Sequence, residues 1–281
     1  MDYSDILLTV DFDRTMTGPD AQIPERNMEA IRWFMEQGGS FTVNTGRSTT
    51  TFRNYLHTVP VNAPFLLYNG SAAYENGRLV DCRLIDLPLW DTVLTVKENF
   101  PELNLEIQAV DNHYMIEEKQ SCFDLYRAMD WGFAMAKPGD DLGPFLKFSI
   151  FGNTDNGHLS GLFTENLPEQ ARLQQLYDFI MDRWGDKVDV FWATPRFLDV
   201  HAKGVSKGVA GRNLQKRLGK KILVAVGDAA NDIPMLDNAD FAYCPADGVV
   251  ADRYETVCEC AKGAVADVIY EKIPQILKIQ P

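Results

Sequence analysis

The run Ile6-Leu7-Leu8-Thr9-Val10 ends directly on Asp11-Phe12-Asp13-Arg14-Thr15. The apolar stretch reads as a buried strand. Two acidic residues set one apart at the end of such a strand are costly to place. Burial disfavours their charge, and each carboxylate opposes ionisation of the other. A bound cation is the usual compensation. In an α/β protein the carboxyl ends of parallel strands are also where ligands bind. The plainer alternative is a solvated turn that happens to carry two acids.

The chain has 281 residues, enough for one large domain or two ordinary ones. Its 40 acidic and 27 basic residues give a net charge of −13, a field that repels nucleic acid and anionic membranes. An anionic substrate would need a local positive pocket. The cysteines Cys82, Cys122, Cys244, Cys258 and Cys260 are odd in number and form no CxxC pair. That usage fits a reduced, cytoplasmic setting rather than a disulfide framework or a zinc site. The acidic N-terminus lacks the basic segment of a secretory signal. No apolar stretch approaches the roughly 20 residues that span a bilayer.

Strand and helix patterns alternate in the first and last thirds. A helix opens at Ile23-Pro24-Glu25, with Met28, Ile31, Phe34 and Met35 on its buried face. Phe41 to Asn44 and Pro64 to Tyr68 read as strands, Ser48 to Leu56 as a helix, and Ala72 to Asp81 as a hairpin about Asn76-Gly77. Later come a helix over Val205 to Leu218, strands at Ile222 to Val226 and Phe241 to Tyr243, and a closing helix from Gly263 to Lys278. Continuous apolar strands suit a parallel sheet covered on both faces. The middle differs. Helices are expected at Pro88 to Phe100, Gln120 to Met129 and Glu169 to Trp184. Strands are expected at Leu105 to Ala109, His113 to Glu117, Phe145 to Phe151, Val188 to Trp192 and Phe197 to Val200. Several alternate polar and apolar residues, as an antiparallel sheet with one covered face would. The expected fold is therefore α/β: a doubly wound, mainly parallel Rossmann-like core over 1–83 and 201–281, with an inserted α+β cap domain over 84–200.

Three further segments offer chemistry. Thr45-Gly46-Arg47-Ser48 places a hydroxyl and an exposed N–H before a helix. That arrangement suits an anion, although Ser48 or Thr45 equally suits an ordinary helix cap. In Gly204-Val205-Ser206-Lys207-Gly208, Ser206 is a plausible N-cap, so Lys207 opposes the helix dipole and Gly208 weakens the helix. Either the lysine is held for an anion or it is a surface residue with a mild cost. In Gly227-Asp228-Ala229-Ala230-Asn231-Asp232, Asn231 or Asp232 suits a cap, whereas Asp228 sits at a strand end as Asp11 does. His57, His113, His158 and His201 are dispersed without zinc-like spacing and read as structural or surface residues. His113 and Trp192 are also candidates to face a substrate, with packing the plainer alternative. Asn69-Gly70, at a core strand end, is a candidate to border the site, with a simple turn the plainer alternative.

The order of these motifs resembles the haloacid dehalogenase superfamily, and within it the phosphatases of the Cof-type subfamily with a type-two, subclass B cap. The resemblance spans essentially the whole chain. It implies a Mg²⁺-dependent phosphatase of small phosphorylated metabolites, with sugar phosphates and phosphorylated cofactors as the expected classes. Asp11 would be the nucleophile forming an aspartyl-phosphate, and Asp13 the general acid/base. Mg²⁺ would be held by Asp11, the Asp13 carbonyl and Asp228, with Asp232 assisting. Lys207, Thr45 and Gly46 would stabilise the phosphoryl group, Asn231 would orient Lys207 or the substrate, and Arg47 would contact phosphate or pair with a surface acid. A cap over the core would exclude water and choose the leaving group. Arg14 and Met16 depart from the family pattern, which commonly has glycine and leucine there. A phosphomutase and a non-catalytic phosphometabolite sensor are the alternatives.

Overall fold

The computed structural model describes residues 2–110, 112–128, 131–153, 164 and 166–279. In chain order the strands are β1 (Ile6–Val10), β2 (Ser40–Val43), β3 (Phe65–Leu67), β4 (Ala72–Glu75), β5 (Arg78–Cys82), β6 (Asn104–Ala109) and β7 (His113–Met115). They continue with β8 (Ala134–Met135), β9 (Phe145–Phe151), β10 (Val188–Thr194), β11 (Phe197–Ala202), β12 (Ile222–Val226), β13 (Phe241–Pro245) and β14 (Glu255–Val257). The helices are α1 (Glu25–Glu36), α2 (Thr49–Phe52), α3 (Leu89–Asn99), α4 (Gln120–Ala128), α5 (Leu167–Trp184), α6 (Lys207–Arg217), α7 (Ile233–Asn238), α8 (Ala264–Asp267) and α9 (Ile273–Ile279). A π-helical turn, Val268–Lys272, joins the last two. Among the described residues no helix is long and apolar enough to cross a membrane.

The chain divides into two units. The first comprises Met1–Gly46, Asn54–Asp81 and Ser206–Pro281; the second comprises Arg47–Arg53 and Cys82–Val205. The first unit is built on a parallel five-stranded sheet of order β14-β13-β12-β1-β2. Every residue of β1 and β12 is buried, as the continuous apolar runs require. Leu7 and Leu223 pack with Leu214 of α6, and the Thr9 hydroxyl meets the sulfur of Met235 on α7. The alternate residues Ile6, Leu8 and Val10 point to the opposite face and are equally buried. This is the doubly wound core.

Two local expectations are corrected. The helix expected over Ser48 to Leu56 is only α2, four residues long. Three consecutive β-branched threonines, Thr49 to Thr51, make it a weak helix former. The strand expected at Pro64 to Tyr68 is β3, which pairs antiparallel with β4 in a separate sheet. It meets β2 through a parallel bridge between Asn44 and Leu66 and through the Thr42 hydroxyl, which donates to the Pro64 carbonyl at 2.6 Å.

The second unit carries a six-stranded sheet of order β10-β11-β9-β6-β7-β8. Its pairings are antiparallel except β7 with β8. One face, with Leu105, Ile107, Phe148, Ile150, Leu198 and Val200, packs against Val93 and Val96 of α3 and Leu173, Leu176 and Ile180 of α5. The other face carries Glu106, Gln108, Lys147, Ser149, Asp199 and His201, and all six are buried. Polar alternation suggested one covered face; in the structure both faces are covered. Part of that cover is α4, whose Cys122 and Tyr126 cluster with Met115 and Phe151. The α4 helix was expected to reach Met129, which lies outside the described residues, as does His158.

Candidate active site

The backbone explains how Asp11 comes to lie at a sheet edge. The Asp11 N–H still bonds the Val226 carbonyl of the neighbouring strand, at 2.9 Å. The chain then coils immediately into the π-helical turn Phe12–Met16, in which Met16 N–H donates to the Asp11 carbonyl. The turn places the Thr15 hydroxyl against Asp228 Oδ1 at 2.9 Å, 213 residues away in sequence. The segment after β1 is thereby tied to the segment after β12.

Lys207 reaches the same point from the start of α6. Ser206 caps that helix by accepting from Val209 N–H, as its sequence position predicts. Gly208 has a steric reason: a Cβ there would lie 1.9 Å from the Pro234 carbonyl oxygen. The missing side chain lets α6 approach α7 closely, and Lys207 arrives beside the loop preceding α7. Its ammonium donates to Asp11 Oδ1 at 2.5 Å and to Asp232 Oδ1 at 2.6 Å. Asn44 holds the backbone at this position, its Nδ2 donating to the Lys207 carbonyl at 2.9 Å. The other oxygen of Asp232 accepts from the N–H groups of Asp228 and Ala229, both at 3.0 Å. Asp232 therefore fixes Lys207 on one side and its own loop on the other.

Carboxylate oxygens of Asp11, Asp228 and Asp232 lie within 4.8 Å of one another, and all three residues are buried. Against these three acids stands one ammonium. Burial raises the Asp11 carboxyl well above its ordinary range, with Asp232, Asp228 and Asp13 adding repulsion that Lys207 offsets only in part. Burial and then Asp232 push Asp228 up to about 7, against the Thr15 hydrogen bond. The Lys207 ammonium is held charged, its pKa raised because Asp11 and Asp232 outweigh desolvation. A surplus of buried oxygen donors around one cation fits a divalent ion of the Mg²⁺ type in donor chemistry and in charge.

The remaining expected residues divide. Asp13 follows in the same turn with a partly exposed side chain, and it is outside the three-carboxylate group. Thr45 is buried at the end of β2; its N–H bonds Leu66 and its carbonyl accepts from Asn69 N–H, both at 2.9 Å. Gly46 follows it, with Asn69 so close that a Cβ would lie 2.8 Å from Oδ1. Asn231 donates to Asn69 Oδ1 at 3.4 Å, while the Lys207 ammonium is engaged by Asp11 and Asp232. Arg47 falls in the second unit, where its Nη1 donates to the Thr51 carbonyl at 3.1 Å. Asn69 is more than a turn residue. Tyr68, Asn69 and Gly70 are successive left-handed residues, with φ of 54°, 54° and 93°. Strain of this kind persists only where surrounding contacts over-determine it. Motif and spacing alone give Thr15, Asn44 and Asn69 no bonding role at the site. The only signal they gave was position, next to a motif or at a strand end.

The sequence model of haloacid dehalogenase-like hydrolases matches residues 8–251. The 5-amino-6-(5-phospho-D-ribitylamino)uracil phosphatase YcsE of Bacillus subtilis (strain 168) is 22% identical over 83% of this chain and 80% of its own. The uncharacterized hydrolase C215.10 of Schizosaccharomyces pombe is 23% identical over 94% of this chain and 89% of its own. Among solved structures, a haloacid dehalogenase-like hydrolase from B. subtilis superposes with a TM-score of 0.77 at 17% identity, covering 94% of this chain and 99% of that one. One from Bacteroides thetaiotaomicron gives 0.75 at 19%, covering 95% and 98%. At these identities the structural likeness speaks for the fold.

Proposed function

We propose, for a chain that belongs to the haloacid dehalogenase-like hydrolase family, that it is a Mg²⁺-dependent phosphatase of small phosphorylated metabolites. The observation that carries this reading is the meeting of Asp11, Asp228 and Asp232 around the Lys207 ammonium. The phosphatase named among its relatives supports the reaction class. The discontinuous first unit would be the catalytic domain and the insert the cap.

Asp11 attacks phosphorus and becomes the aspartyl-phosphate, while the leaving alkoxide takes a proton from Asp13. Asp13, now a carboxylate, takes a proton from the water that attacks the intermediate. Lys207 keeps the Asp11 carboxylate oriented and offers positive charge to the phosphoryl oxygens. The Thr45 hydroxyl and Gly46 N–H donate to the same oxygens. Mg²⁺, held by Asp11, the Asp13 carbonyl and Asp228, would shield the nucleophile from the phosphoryl charge. Asp232, with both oxygens engaged, serves the ion by fixing Lys207 and the Asp228 loop. Sugar phosphates and phosphorylated cofactors are the substrate classes to test first.

The test is phosphate release from a panel of such monoesters with Mg²⁺ and after chelation. Turnover that needs Mg²⁺ and vanishes in Asp11→Asn supports the reading. Activity indifferent to both rejects it, and an isomerised sugar phosphate without phosphate release indicates a mutase.

A further inference from the structure

Arg14 is the charged residue in the active-site turn that the mechanism does not use. It lies between Asp13 and Thr15, and the Thr15 hydroxyl holds Asp228. Its backbone is left-handed, with φ 58° and ψ 10°. Any Cβ there carries strain that glycine would not. Packing does not compensate, because the side chain is exposed. Pairing does not either: among the described residues the backbone N–H bonds Thr17 Oγ1 at 3.2 Å, and the guanidinium has no hydrogen bond or ion pair. The turn thus tolerates a strained position in order to present an unpaired cation.

Its surroundings show where that charge acts. Arg14 is close enough to Asp228 and Asp247 to favour both carboxylates. Lys207 is already shared between Asp11 and Asp232, and the chain as a whole carries −13. A substrate that carries a second anionic group would therefore be repelled by Asp228 and Asp247 beside this turn, and Arg14 is the cation there that offsets them. A guanidinium is suited to such a group because it presents planar, paired donors to a carboxylate or phosphate.

Resting on the phosphatase reading above, we infer that Arg14 is a specificity-determining residue that receives a second anionic group, a carboxylate or further phosphate on the leaving group of the substrate. The favoured substrates are then phosphorylated acids or bisphosphates rather than monophosphates of neutral polyols.

Two ligands that differ mainly in a carboxylate against a hydroxymethyl test this. Calorimetry measures 3-phosphoglycerate and glycerol 3-phosphate binding to the full-length Asp11→Asn protein with Mg²⁺, so that turnover does not interfere. The expected result is about tenfold or greater preference for 3-phosphoglycerate, falling to near parity when Arg14→Gly or Arg14→Gln is added. Arg14→Gly should also melt no lower than its parent, since it relieves strain. No preference in the parent, or a preference that survives both substitutions, overturns the assignment. A lowered melting temperature with the preference intact makes Arg14 a structural clasp and overturns it equally. If neither ligand binds, the phosphate-site reading itself fails and takes this role with it.

Discussion

Each unit buries a lysine among acids, yet the two clusters are built differently. In the first unit Lys207 faces Asp11 and Asp232 with Asp228 alongside, all on segments that leave strand ends or open a helix. In the second, Lys147 Nζ lies 3.1 Å from Asp199 Oδ1, and Ser149 donates to the same oxygen at 2.6 Å. Here the residues stand within strands and in register: Glu106 opposes Ser149 and Ser149 opposes Asp199. The inserted sheet matches one cation with one carboxylate and leaves Glu106 beside the pair. Burial pushes Glu106 up to about 7, and its side chain is bonded by Gln108. The teaching is that a mid-strand ladder can resolve its charge by pairing and protonation, since neighbouring strands supply fixed partners. Strand-end loops that crowd three carboxylates on one ammonium leave a deficit, which a ligand must fill.

The comparison breaks most visibly at Asp11. Replacing it with Asn should lower turnover of phosphate monoesters about 10³-fold or more, measured by phosphate release, without lowering the melting temperature, because a surplus buried charge is removed. A collapse in stability would mean that Asp11 is a structural acid like Asp199. The reverse holds in the insert. Lys147→Met leaves Asp199 and Glu106 without their cation and should cost about 3–5 kcal/mol, read by chemical denaturation. A change below about 1 kcal/mol would show that the ladder does not depend on its ion pair.

The sign of the next effect follows from Glu106. A carboxyl whose pKa is raised by folding binds its proton more tightly in the native state. Its contribution is therefore complete at acidic pH and is lost as pH rises from 4.5 towards about 7. The stability gained by Glu106→Gln should grow over that window to roughly 3 kcal/mol. His113 and His201, held near 3 by burial, act with the opposite sign at acidic pH but in both proteins, so they drop out of the difference. A pH-independent difference between the two proteins would refute the protonated Glu106. The smallest effect is at Asn69. Asn69→Gly keeps the left-handed backbone without strain but removes the acceptor of Asn231, so stability should hold while turnover falls about threefold to tenfold. Unchanged kinetics would reduce the turn to a connector.

These contrasts also mark what was legible beforehand. Asp11, Asp228 and Lys207 could be picked out because polar residues at strand ends and a lysine in a first helical turn conflict with local preference. The doubly wound core was legible from β1 and β12, whose apolar runs admit no solvent face. The buried polar face of the insert was not, because alternation reports that two faces differ and not that either meets water. Gly208 looked like a defect of α6; only the Pro234 carbonyl explains it. The double engagement of Asp232 and the bracing by Asn44 and Asn69 depend on contacts between segments far apart in the chain, which spacing does not encode.

Calorimetric titration with Mg²⁺ of the whole protein and of Asp228→Asn tests the carboxylate deficit most directly. One ion should bind the unaltered chain with a matching rise in melting temperature, and the substitution should weaken it at least about tenfold. Equal affinity in both proteins, or no binding to either, would contradict the account.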